Sequence, residues 1–190
     1  DIGAQALIEA GYPERLIRPA IDNRSALHML LHQRVDLWAY SEDVARWIAE
    51  QEGYQVDTTE DAGYFTEDSL KNYSAVIFLH STGDLLNNYQ EADFERYIQA
   101  GGGYVGIHAA ADAEYDWGWY GRLVGGYFES HPAQQEASLR ITDKSHFSTA
   151  HLPDTWKRKD EWYNFKKLNP AVHVLMNIDE KSYEGGKNGD

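Results

Sequence analysis

Between residues 75 and 108 the chain carries two short apolar runs, Ala75 to His80 and Tyr104 to His108, separated by a helical pattern from Asn88 to Ala100 that Gly101 closes. Runs apolar on both faces belong inside a sheet, and glycine just past the last periodic residue stops a helix. A strand, a helix and a second strand of these lengths make a parallel pair with a right-handed crossover. The chain is thereby committed to an α/β fold. In open sheets of that class pockets form beyond the carboxyl ends of the strands, and here both runs end on a histidine.

The same reading predicts helices at Ile2 to Ala10, Arg24 to Gln33 and Glu42 to Glu52, the last with Ser41 as N-cap and Val44, Trp47 and Ile48 on one face. Strands are expected at Leu16 to Pro19, Val35 to Tyr40, Gln55 to Thr59, Ala137 to Ile141 and Val172 to Asn177, the last in the main sheet. Asp68 to Lys71 reads as a helical turn and Gly118 to Gly125 as a helix. An irregular aromatic stretch precedes residue 172, and a polar, Gly-rich tail runs from Glu184 to Asp190.

At 190 residues and 42% hydrophobic, the chain has enough apolar material for one domain with a substantial core. Its formal net charge of −14, from 31 acidic and 17 basic residues, gives a phosphate backbone no electrostatic footprint, so a nucleic-acid partner is not expected. No apolar stretch reaches the roughly 20 residues of a membrane span, and the chain reads as mature or excised. Cysteine is absent.

The candidate site lies in GGGYVGIHAAADAEYDWGWYGRLVGGYFESHP, Gly101 to Pro132. His108, at the end of a buried strand, is a candidate general base, metal ligand or structural histidine. Asp112 follows four residues later. On a helical turn the two share a face and can pair or hold one divalent ion, and an N-cap role for Asp112 is the alternative. Glu114 and Asp116 flank Tyr115 ahead of Trp117 and Trp119. Carboxylates beside indole faces suit a sugar, since carboxylates do acid and base work and indoles stack on pyranose rings; core packing is the plainer role for tryptophans at this density. His131 precedes Pro132. Asp160, Glu161, Trp162 and Tyr163 can form a second acidic and aromatic wall, and His80, Ser81, Thr82 and Asp84 follow the first run. The expected catalytic set is His108, Asp112, Glu114 and Asp116. The expected substrate-binding set is His80, Thr82, Asp84, Tyr115, Trp117, His131, Glu161 and Trp162.

That segment, with DEWYNF, YQVDTTEDAGYFT, VIFLHSTGDLLN and FERYIQAGGGYVGIH, closely resembles the ThuA-like family, named for trehalose utilisation, from about Gly53 to Asp190. The resemblance implies a three-layer, flavodoxin-like or class I glutamine amidotransferase-like parallel sheet with helices on both faces, and a small carbohydrate as partner. Resembling sequences often carry Asn where this chain has His80. Residues 1 to 52, with RVDLWAY, look instead like a lobe fragment of a bacterial extracellular solute-binding protein. The chain therefore reads as a hybrid joined near Glu50 to Tyr54, whose first part supplies a βα unit to one merged domain, and an extracytoplasmic bacterial setting is favoured.

A Cys-His-Glu glutaminase needs a thiolate on the strand-to-helix elbow, whereas this turn holds Ile107 and His108. Covalent acyl transfer is therefore not expected. The Arg-His loop of the family's first strand is missing, and the chain stops at GGKNGD, before the family's closing strands. Three readings stay open: a carbohydrate-acting enzyme of hydrolase or lyase type, a sugar-binding module without turnover, and a recombined scaffold without activity.

Overall fold

The computed structural model describes residues 53–189, and the chain divides into two units, Asp1–Glu60 and Asp61–Asp190. The elements expected before residue 53, including Val35 to Tyr40 and Glu42 to Glu52, lie outside the described residues. Gln55 to Thr59 does not form the expected strand. Four of its five residues are exposed, so there is no buried face to hold it in a sheet.

In the second unit, Thr66 caps helix α1 (Glu67–Leu70) through its side chain, and strand β1 is Ala75–Leu79. Helix α2 (Asn88–Gln99) opens on a capping box in which Asn87 and Gln90 satisfy each other's backbone amides. It stops at Ala100, where Gly101 takes φ +102 and turns the chain into β2 (Gly103–Ile107). β1 and β2 pair in parallel, with Ala75 opposite Gly103 and Leu79 opposite Ile107. A 3-10 turn, His108–Asp112, follows β2 directly. Helix α3 (Gly118–Val124) then ends on the left-handed Gly125.

Beyond α3 the pairing is antiparallel. β3 (Tyr127–Ser130) pairs with β6 (Asn164–Lys166), while β4 (Gln135–Ile141) is the centre of a three-stranded sheet between β5 (Thr155–Asp160) and β7 (Met176–Asp179). The fold is thus α/β with both parallel and antiparallel sheets. The last strand differs from expectation: it begins at Met176 and pairs with β4, not with the parallel strands. Residues Val172 and Val174 stay 44% and 45% exposed, because the ladder begins only past Leu175, whose carbonyl accepts the Thr142 and Asp143 amides.

The core of this unit is aromatic. Phe94 and Tyr120 are 0% exposed, and Phe78 stacks on Phe94 at 5.6 Å between ring centroids. Trp117 and Trp119 pack on the same cluster, each 6.3 Å from Phe94. Tyr104 donates to the Tyr120 hydroxyl at 2.8 Å, and Tyr120 donates to the Ala110 carbonyl at 2.7 Å, so the buried hydroxyls are satisfied and hold the 3-10 turn that follows β2. The outward face of the parallel pair, Ile77, Leu79, Val105 and Ile107, is 41% to 62% exposed. Among the described residues no helix is long and apolar enough to cross a membrane.

Candidate functional site

Both parallel strands end on a histidine with a left-handed backbone, His80 at φ +55 and His108 at φ +54. This region is disfavoured for residues with a Cβ, although histidine tolerates it better than most. Such strain at the ends of adjacent strands is a feature of sites that hold side chains in set directions. Here it brings the two imidazoles together, with centroids 4.6 Å apart.

A second pair of groups arrives from the antiparallel side. In the β3–β6 ladder Phe128 faces Phe165 and Ser130 faces Asn164, so Glu129 is a bulge residue. The bulge sets His131, just past β3, alongside Tyr163, just before β6, with rings stacked at 5.9 Å. Asn164, 1% exposed, fixes this corner by donating to the Gly185 carbonyl and accepting the Lys187 amide. The tail after Glu184 therefore has a structural task.

Glu161 joins the two sides. Its carboxylate lies 3.2 Å from His108 Nε2 and 3.5 Å from His131 Nε2. The Tyr163 hydroxyl lies 2.9 Å from His108 Nδ1, so the ring has Glu161 beside one nitrogen and Tyr163 beside the other. Burial, the charge of Glu161 and a hydrogen bond to it push Tyr163 up to about 12, with the Asp112 charge a lesser cause. His131 Nδ1 donates to the Pro132 carbonyl at 2.8 Å, so its contact with Glu161 is an ion pair only when that ring is protonated. The side chains of His108, His131 and Glu161 remain 37%, 39% and 20% exposed, which leaves them reachable.

Of the residues singled out from sequence, His80, His108, His131 and Glu161 come together. Asp112 stands beside them, its carboxylate accepting the Tyr115 hydroxyl, which also lies 3.0 Å from the Phe128 carbonyl. Burial and then the hydrogen bond to Asp112 raise Tyr115 well above the usual phenol range. Glu114 is elsewhere. It is 3% exposed and its Oε1 accepts the Leu85 and Leu86 amides, while burial raises its carboxyl despite those two bonds. Asp116, Thr82 and Asp84 are exposed on their loops. Trp117 belongs to the aromatic core, and the Trp162 indole donates to the Gln135 carbonyl at 2.8 Å. The paired carboxylates and stacking indoles expected from the sequence are therefore not assembled, because burial draws Glu114 and Trp117 inward.

Tyr163 is the member that sequence left as one of several wall residues, and its place in a Tyr-Asn-Phe word after Glu161 was the available signal. The expected ion pair of ligands, His108 and Asp112, is engaged with different partners. Among the described residues no group of three or more His, Asp or Glu is arranged to hold a metal. What the cluster can do is move protons: an imidazole held at both nitrogens by a carboxylate and a phenol is the arrangement of a general base or acid.

No curated protein matches the chain. It is similar to the crystal structure of a ThuA-like protein from Bacteroides uniformis, with a TM-score of 0.64 and 27% identity, over 76% of this chain and 62% of that one. It has the fold of a ThuA-like protein from Parabacteroides merdae, with a TM-score of 0.60 and 23% identity, over 76% of this chain and 65% of that one. The chain thus spans less than two thirds of either relative. The family model for ThuA, trehalose utilisation, matches residues 29–190, starting ahead of Gly53, and the chain belongs to that family.

Proposed function

We propose that the chain is a carbohydrate-acting domain in which His108 transfers a proton on a bound sugar, Glu161 orients its imidazole and Tyr163 supplies a hydroxyl beside it. The observation that carries this reading is His108 held between Glu161 at 3.2 Å and Tyr163 at 2.9 Å at the carboxyl end of β2. Lyase-type chemistry is favoured over two-carboxylate glycoside hydrolysis. Among the described residues Glu161 is the carboxylate in contact with these imidazoles, whereas Glu114 is turned toward Leu85 and Leu86. A base beside a phenol suits removal of a proton from a sugar hydroxyl or from carbon next to a carbonyl.

The test is turnover of trehalose, glucose and their keto derivatives, followed by proton NMR. His108→Ala is expected to lower the rate by at least about 100-fold, in the range of a lost general base, with the melting temperature within a few degrees. Binding without turnover in the unaltered chain supports the sugar-binding module instead. Neither binding nor turnover supports the scaffold reading and overturns the proposal.

A further inference from the structure

We infer that Glu114 is the positioning residue of this site: its buried carboxylate clamps the loop after β1, which carries His80, to the loop after β2, which carries His108. The inference deepens the proposed function and rests on it for the meaning of the site. The clamp itself is visible in the bonds. The Glu114 amide donates to the Gly83 carbonyl at 2.9 Å, and the Gly83 amide donates to the Asp112 carbonyl at 3.0 Å, so the two loops form a short parallel bridge of their own. The Glu114 side chain then reaches past that bridge. Oε1 accepts the Leu85 amide at 3.0 Å and the Leu86 amide at 2.9 Å, just before the cap of α2. Its own carbonyl accepts the Tyr127 hydroxyl at 2.9 Å and the Trp117 amide at 3.1 Å. One residue thus joins the loop after β1, the loop after β2 and the first residue of β3.

Two details argue for a built clamp. Glu114 is 3% exposed in a left-handed backbone, φ +52, a conformation that directs its side chain back across the bridge. Among the described residues His80 is tied to the neighbouring strand end by an amide bond to the Ile107 carbonyl at 3.3 Å, so without the clamp the backbone from Ser81 to Leu86 is held to the second loop by the Gly83 bridge, with the buried Leu86 side chain anchoring its far end. The 4.6 Å approach of the His80 and His108 rings depends on that stretch staying in place.

The experiment compares the whole chain with Glu114→Gln, Glu114→Asp and Glu114→Ala, using Leu139→Ala in the antiparallel sheet as a destabilised control. Ring resonances of His80 and His108 and hydrogen exchange at Leu85 and Leu86 are read without ligand. Trehalose and glucose binding is then measured on the same samples. Glu114→Asp shortens the arm by one methylene and suits the left-handed backbone, so it keeps the test open if Glu114→Ala does not fold. The expected result is that Glu114→Asp moves both ring resonances, speeds exchange at both amides and weakens sugar binding about tenfold, as small misplacements do. Glu114→Gln, whose amide oxygen still accepts both N–H groups, should restore most of each, and Leu139→Ala should move none. Unmoved resonances in Glu114→Asp, or Leu139→Ala moving them equally, would overturn the clamp. If the unaltered chain binds no sugar, the proposed function fails while the ring and exchange data still judge the clamp; if it binds sugar and Glu114→Asp binds as well, the clamp fails alone.

Discussion

The parallel pair with its helices and the three-stranded antiparallel sheet are built on opposite plans. Around β1, α2 and β2 the interior is a continuous aromatic cluster, with Phe94 and Tyr120 fully enclosed. In β4 burial alternates strictly, Ala137, Leu139 and Ile141 inward and Glu136 and Arg140 outward, and the facing β5 presents Lys157 and Lys159 to solvent. The first region is rigid enough to bear two strained histidines; the second covers one thin layer and guards an edge with charge. The difference shows where strain is tolerated: left-handed backbones close both parallel strands and recur at Glu114, whereas among the described non-glycine residues after α3 only Lys167 has one.

The sharpest way to break that comparison is a pair of truncations. Phe94→Ala should cost about 3–5 kcal/mol and Leu139→Ala about 2 kcal/mol in urea unfolding, since the larger ring leaves the larger hole in the better-packed region. Equal costs would mean that the two regions share one plan. A smaller effect should depend on pH. Burial raises the Glu114 carboxyl above its unfolded value of 4.5, so the folded state holds that proton more tightly. The corresponding stability is present below the unfolded value and is lost as pH rises through the raised folded value. The stability difference between the unaltered chain and Glu114→Gln should therefore shift against the unaltered chain across that window, and a flat difference would argue against the burial of the carboxyl. The smallest effect belongs to β5. Arg158 lies 5.0 Å over Trp156 and 2.7 Å from Asp160, both partly in solvent, so Arg158→Ala should cost less than about 1 kcal/mol.

The same contrast decides what could be read from the sequence. Ala75 to His80, Asn88 to Ala100, Tyr104 to His108 and Gly118 to Gly125 were legible to within a residue, because apolar runs and the glycines after each helix are local signals. β5, written Thr-Trp-Lys-Arg-Lys-Asp, and the three-residue β6 were not, since they depend on pairing with distant partners. His80, His108, His131 and Glu161 stood out as polar residues at element ends. Their convergence turns on a bulge at Glu129, which no local pattern announces. Glu114 misled for a related reason: its two amide partners lie almost thirty residues earlier, and only the folded loops bring them to it.

The left-handed backbones at His80 and His108 also govern which replacements each position can accept over evolutionary time. Glycine, asparagine and aspartate enter that region at little cost, whereas valine, isoleucine or threonine would have to reshape the turn. Substitution at these two strand ends is therefore filtered first by the main chain and only afterwards by imidazole chemistry, so that even a replacement with a suitable ring nitrogen has to satisfy the turn before it can serve the site.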